Sequence, residues 1–248
     1  CATLYAIDGI LEWRNAWDAG SGAACPWVMR PVLADKVACI GPSQVRTLEA
    51  WGNRGKCEMV GVPRLDSLVP VIGLPERTPG SDFRFLVTTA KNACYTPAQR
   101  ERVVRSLTDL RDWFAVTPQL KGSRLSVSWR LDPAVADEIG VSNALADLTG
   151  RELLAQLSQV HAVVTTPSTA MLEAMILGRP TALLDYHNCP QYVPAAWTIS
   201  ARSHLDRVLT ELVEPPGPRM LRQRELLHDA LVCDGRAAER LAGLAQAM

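Results

Sequence analysis

No apolar run in this 248-residue chain approaches the roughly 18 residues that a membrane-spanning helix needs, and no leader-like segment opens it. An integral membrane segment is therefore not expected, and the chain is predicted to be cytoplasmic. Excess charge is lacking too. Lys plus Arg total 26 and Asp plus Glu total 26, so no long-range field draws the protein toward nucleic acid or an anionic bilayer. No nucleic-acid partner is expected, and any anionic ligand must be met locally. The seven cysteines are odd in number and widely spaced, with no C-x-x-C pair, and the four histidines (His161, His187, His204, His228) show no metal spacing. Neither a disulfide framework nor a metal site is predicted, and a reducing compartment follows from the same count. G-x-G-x-x-G, G-x-x-x-x-G-K-[ST] and G-x-S-x-G are all missing, which removes support for dinucleotide, P-loop and α/β-hydrolase readings.

What remains is an ordinary globular composition, 48% hydrophobic and 21% charged, able to bury a core and long enough for one large domain or two small ones. DKVACIG, PSQVRTLEAWG and KCEMVGVP scan as strand, helix and strand with short connections, a parallel β-α-β unit. Ser43 is the expected helix cap, and Val45, Leu48 and Trp51 form the apolar face. Residues 67–82 carry Pro70, Pro75, Pro79, Gly73 and Gly80, and read as a linker without regular structure. Beyond it, FRFLVTT, SRLSVSW, HAVVTT and TALLDY are strands separated by helical patterns, with further helices from about Ser203 to Val213 and from Arg219 to Met248. The predicted fold is α/β, a Rossmann-like doubly wound parallel sheet over 83–248, preceded over 1–66 by the last part of another α/β lobe.

In such a sheet, ligands sit outside the carboxyl ends of the strands. That rule selects TTAKN, SWR, TTPSTA and DYHN. Ser168 and Thr169 stand where a helix begins after a strand, where hydroxyls and unpaired N–H groups suit a phosphate, and Glu173 follows one turn later, where a carboxylate could meet a ribose diol. The plainer alternative makes Ser168 or Thr169 an N-cap and Glu173 a surface charge. Thr88, Thr89 and Lys91 could hold a diphosphate, although Lys91 could equally be a solvated charge. Arg130 could pair with phosphate bidentately or form an ordinary salt bridge. His187 is the one histidine just past a strand end. Arg64 and Asp66 in VGVPRLDS lie before the linker, near the expected lobe boundary, or merely fix a turn. In IDGILEWRNAW, Asp8 could serve as a general base or sit in an Asp-Gly turn, with Glu12 and Arg14 on a surface helix and Trp13 and Trp17 in the core.

GVPRLD before a Pro-rich linker, TTPSTAMLEAMILGRP after a late strand, and a terminal DGRAAERLAGL together resemble the bacterial surface-polysaccharide glycosyltransferases of the GT-B fold, including the CDP-glycerol glycerophosphotransferases. The resemblance covers most of the chain. It implies two Rossmann-like lobes, the C-terminal one binding a nucleotide-sugar or CDP-polyol donor as substrate with no cofactor and no metal. Ser168 and Thr169 would be its phosphate-binding pair and Glu173 its ribose- or sugar-contacting acid. Transfer to a surface glycan acceptor is implied; from their own positions Asp8 is the best remaining candidate for the base, and Arg64 and His187 are possible cleft residues. UDP-N-acetylglucosamine epimerases share this architecture and form the alternative, as does a non-catalytic nucleotide-binding partner subunit.

Overall fold

The structure is a computed structural model that describes residues 2–11, 29–71, 82–90, 96–141, 150–187 and 193–248. The chain forms two compact units, one made of Cys1–Ile72, Cys189–Pro194 and Arg224–Met248, the other of Gly73–Asn188 and Ala195–Gln223.

In the first unit three parallel strands lie in the order β1 (Leu4–Ala6), β2 (Lys36–Cys39), β3 (Cys57–Met59), with Tyr5 beside Val37 and Val37 beside Cys57. The predicted β-α-β unit is present. Its crossover is α1 (Pro42–Leu48), continued by a π-helical turn over Glu49–Asn53. Leu48, Val37 and Cys39 are fully buried in one core with Met29 and Val32, and Val45 and Trp51 pack against it. Burial pushes the Cys39 thiol well above its usual range. Asn53 is the polar pin of this core. Its Oδ1 accepts from Val32 N–H at 2.7 Å, and its Nδ2 donates to the carbonyls of Met29 and Leu48, so the buried amide is satisfied on both sides.

The cap differs from the expectation. Gly41, not Ser43, occupies the N-cap, Pro42 follows in the first turn, and no side chain caps the helix. A Cβ on Gly41 would lie 2.4 Å from the Ala230 carbonyl oxygen, so the bare backbone is needed where the chain's end passes by. That end is a second departure. The sequence reading places 83–248 in one lobe, whereas Arg224–Met248 belongs to the first unit. Val232 N–H donates to the Ile40 carbonyl, and Arg240 Nε donates to the Val60 carbonyl at 2.8 Å. Gly61, at φ +91, allows Val232 to approach closely where any Cβ would come within 2.6 Å of its carbonyl oxygen. These are contacts between residues 171 to 192 positions apart in sequence, and local periodicity carries no trace of them.

Residues Pro63–Val71 form a 3-10 helix, so the first part of the expected linker is regular; 72–81 lie outside the described residues. Leu65 and Leu68 are buried, and Asp66 reaches the terminal helix α8 (Ala237–Ala247), accepting from Ala237 N–H at 3.0 Å and Ala238 N–H at 2.9 Å. A carboxylate across the first amides of a helix satisfies groups the helix cannot pair itself. Asp66 thus does more than fix its own turn.

The second unit holds a six-stranded sheet ordered β5-β6-β4-β7-β8-β9, from β4 (Phe83–Thr88), β5 (Gln119–Leu120), β6 (Ser123–Arg130), β7 (Ala162–Thr165), β8 (Thr181–Leu184) and β9 (Trp197–Ile199). Only β5 is antiparallel. The helices are α2 (Pro97–Val116), α3 (Pro133–Glu138), α4 (Gly150–Gln159), α5 (Ala170–Ile176) and α6 (Leu205–Val213), while α7 (Gly217–Ala230) carries the chain from this unit into the first. β4 shows why both sheet faces are covered. Phe85 stacks edge-on with Phe114 of α2, whose ring also meets Trp129, whereas its neighbour Leu86 packs with Leu157, Val163, Ala174 and Leu177 under α4 and α5. Successive residues on a strand face opposite ways, so an unbroken apolar strand needs two cores. The predicted doubly wound parallel sheet is what forms. The short elements β5, β9 and α3 were not predicted from the sequence; each has few residues over which a period could register.

Buried polar side chains tie the layers. Gln223 accepts from Thr181 N–H and donates to the Arg179 carbonyl, and Arg179 Nε donates to the Leu157 carbonyl at the end of α4. His161 Nδ1 accepts from Arg84 N–H, which gives this histidine a structural place.

Replacing Asp66 by Ala should lower stability by about 1–2 kcal/mol, read as a drop in the denaturant midpoint. A pH effect arises at Asp234, which the Arg240 guanidinium contacts at 2.7 Å and the Arg236 N–H at 3.1 Å, holding its carboxyl at about 2. A carboxylate with a depressed folded value stabilises the fold above its ordinary range near ~4 and loses that contribution as pH falls toward 2. Thermal unfolding followed from pH 5 to pH 2 should show a loss over that window that is smaller in Asp234→Asn.

Candidate functional site

The parallel register of the second unit sets polar residues in a row. At the carboxyl end of β4, Thr88 lies beside Arg130 of β6 on one side and Thr165 of β7 on the other, and Thr165 lies beside Leu183 of β8. After β4 the chain adds β6 on one side and then returns to add β7 on the other. The reversal puts the switch point, where the loops diverge and leave a crevice, between the ends of β4 and β7.

The loops leaving these strands are stitched together by hydroxyls. Thr166 N–H donates to the Thr88 carbonyl at 3.2 Å, Ala90 N–H donates to Thr166 Oγ1 at 3.1 Å, and Thr89 N–H donates to the Arg130 carbonyl at 3.2 Å. Asp132 N–H reaches Thr89 Oγ1 at 3.4 Å. Thr88, Thr89, Thr165 and Thr166 are all nearly inaccessible to solvent, and Arg130 is buried with them. Ser168 is buried as well. Its Oγ accepts from Ala170 N–H at 3.0 Å although Ser168 is not the N-cap, and a hydroxyl that accepts still has its own O–H to donate. Thr169 occupies the N-cap of α5 without a side-chain cap bond, and Glu173 is buried one turn on. Because α5 has only seven residues, its summed dipole is small, and side chains rather than the helix end carry the polarity here.

Past β8 the backbone turns around Asp185. Its Oδ1 contacts both the backbone N–H of His187 (3.0 Å) and the ring Nδ1 of His187 (2.9 Å), and both side chains are buried. Between them Tyr186 points elsewhere, its Oη donating to Asp109 of α2 at 3.0 Å. Burial, with the Asp109 charge beside it, pushes the Tyr186 phenol far up, so it remains a protonated donor.

Of the residues singled out from sequence, Thr88, Thr89, Arg130, Ser168, Thr169 and His187 belong to the carboxyl edge of this one sheet or the turns leaving it, and Glu173 to α5 just beyond. Lys91 lies outside the described residues, as do Glu12, Arg14, Trp13 and Trp17. Asp8 and Arg64 belong to the first unit, where both border a single cavity of about 250 Å³. Asp8 is positioned by a residue that sequence reasoning missed. Buried Gln44 accepts from Ile40 N–H at 2.9 Å and donates to the Gly9 carbonyl at 3.1 Å, tying the loop after β1 to α1. Thr166 and Asp185 were missed too. Their only local signal is adjacency, in Thr165-Thr166-Pro167 and in the i, i+2 spacing of Asp185 and His187. Among the described residues no group of three His, Cys, Asp or Glu could hold a metal ion.

No family model and no curated protein matches this chain. Solved structures do. S. aureus MnaA in a UDP co-structure superposes with a TM-score of 0.61 at 16% identity, over 87% of this chain and 60% of that one. The UDP-GlcNAc 2-epimerase of Methanocaldococcus jannaschii in complex with UDP-GlcNAc and UDP gives 0.56 at 14%, over 87% and 62%. The wall teichoic acid polymerase TagF, soaked with CDPG, gives 0.53 at 13%, over 86% and 57%. The fold is of the GT-B type. The chain spans about 60% of the length of these GT-B structures, and identities this low speak to the fold alone.

Thr166→Val removes the acceptor for Ala90 N–H and should cost about 1–3 kcal/mol. It should also speed hydrogen exchange at Ala90, whereas a distant control amide such as Val37, which donates to the Lys56 carbonyl at 2.9 Å, keeps its protection.

Proposed function

We propose that the second unit binds a nucleotide-activated donor at the carboxyl edge of β4, β6, β7 and β8, and that the protein is a glycosyltransferase of the GT-B type. It would transfer a sugar or a polyol phosphate from that donor to a glycan acceptor. The observation that carries this reading is the row of Arg130, Thr88 and Thr165 at the switch point, with Ser168 and Glu173 on the turn and helix that follow. Diphosphate is the ligand that such a row suits. Thr88 and Thr165 donate their hydroxyls to the Thr89 and Thr166 carbonyls and so form the frame. From it the Arg130 guanidinium and the Ser168 hydroxyl would meet the diphosphate's charge without reorganising as the bond to the transferred group breaks and negative charge grows on the leaving oxygen. Lys91, two positions beyond Thr89 in sequence, would add a second cation. Glu173 would accept from a ribose or sugar hydroxyl. Asp8 would take the proton of the acceptor hydroxyl.

An epimerase is the second reading, favoured by one observation: the TM-score to the 2-epimerase bound to UDP-GlcNAc and UDP is 0.56, against 0.53 for the polymerase. No helix among the described residues is long and apolar enough to cross a membrane, which fits either reading.

Calorimetric titration with UDP-, CDP- and GDP-linked donors tests the site. At least one should bind, and Ser168→Ala should weaken it about tenfold, the worth of one hydrogen bond to a charged group. A folded sample that binds none of them, with Ser168→Ala indistinguishable from the parent, rules the donor site out. Incubation with UDP-N-acetylglucosamine and detection of the manno epimer would decide for the second reading.

A further inference from the structure

The cavity of the first unit opens at the carboxyl ends of all three of its strands, because β1, β2 and β3 run parallel and end together. Its wall is made of Ala6, Ile7, Ala38, Val60, Val62 and Leu241. Ala38, Val60 and Val62 are each only 2% exposed, so the wall is the outer surface of the core. Two charged residues border it, Asp8 after β1 and Arg64 after β3, and both are exposed. With β2 between those strands, opposite charges flank the cavity from its two sides.

Size and surface both select among ligands. About 250 Å³ falls below the roughly 300–1,000 Å³ of pockets that enclose drug-sized molecules; a single sugar ring fits and a nucleotide does not. The apolar wall offers nothing to a hydroxyl laid against it, and a hydroxyl taken from water without a partner is penalised, so a ring must turn its hydroxyls to the open side and an apolar substituent to the wall. Ala6 and Ala38 project only a methyl group each, which leaves the room itself intact.

We infer that this cavity takes the acceptor's terminal sugar and selects one with an apolar substituent, a 6-deoxy or similarly dehydroxylated ring, its reacting hydroxyl directed at Asp8. The inference rests on the proposed role of Asp8 as acceptor base and adds the chemistry of the acceptor. A methyl group against an apolar wall, compared with a hydroxymethyl group that must be desolvated there, is worth about tenfold in binding.

Saturation-transfer NMR on this chain, with methyl β-D-galactopyranoside and its 6-deoxy counterpart methyl β-D-fucopyranoside, tests it directly. The 6-deoxy glycoside should bind about tenfold tighter. Ala6→Leu, which fills the cavity from an exposed strand position, should abolish that binding, and Asp8→Asn should weaken it, both with an unchanged melting temperature. If Ala6→Leu does not fold, Leu241→Trp fills the cavity from α8 instead. Equal binding of the two glycosides, no binding of either, or binding that survives the filling variant overturns the inference. Calorimetry with UDP-, CDP- and GDP-linked donors on the same sample keeps the two readings apart. Nucleotide binding without a 6-deoxy preference removes only the acceptor inference. Glycoside binding without nucleotide binding removes the donor site.

Discussion

Parallel pairing in register is the constraint on which the rest of this structure depends. Hydrogen bonds between parallel strands fix which residues end side by side, and so Thr88, Arg130 and Thr165 form one row although they come from positions 77 apart at the extremes. A slip of one residue in β4 would turn Phe85 away from Phe114 and Leu86 away from Leu157, exchanging two cores at once. Core packing therefore holds the register, and the register places the polar row. In the first unit the same logic aligns the ends of β1, β2 and β3 around one cavity.

The polar row is held in a frame that keeps its side chains in place. Hydroxyls supply it. Thr166 and Thr89 accept loop amides, and Ser168 accepts the amide of Ala170. Such bonds are each modest, but in a buried frame they keep the backbone from relaxing. Asp185 does the same past β8, fixing the backbone and the ring of His187 with one oxygen. The first unit uses a different device: glycines that admit backbone where side chains would collide. Gly41 and Gly61 let the Ala230–Val232 segment lie against them, and Asp66 and Arg240 then secure α8.

The candidate site was legible in proportion to how local its signals are. TTPSTA stands out because a buried strand, a proline turn and a helix start are all contiguous, and Ser168 and Glu173 follow from that alone. Arg130 was found by the strand-end rule, although its burial was not. Gln44 escaped notice because a glutamine inside a helix looks like a solvated residue until its partners, Ile40 and Gly9, are seen on either side of it. For Asp66 the sequence offered a place near the lobe boundary or a turn, and not the end of α8, because its partners lie 171 and 172 positions away.

The sequence by itself determined the fold class, most of the long elements and the edge of the sheet on which to look, because hydrophobic periodicity and turn residues act over a few positions and need no distant partner. Only the tertiary structure decided where the chain's end belongs, which hydroxyls lock the crevice, and that Asp8 and Arg64 border the same cavity. Those outcomes depend on contacts between segments far apart in sequence. Such contacts are set by packing volume and by the closing of buried hydrogen bonds, neither of which leaves a period in the chain.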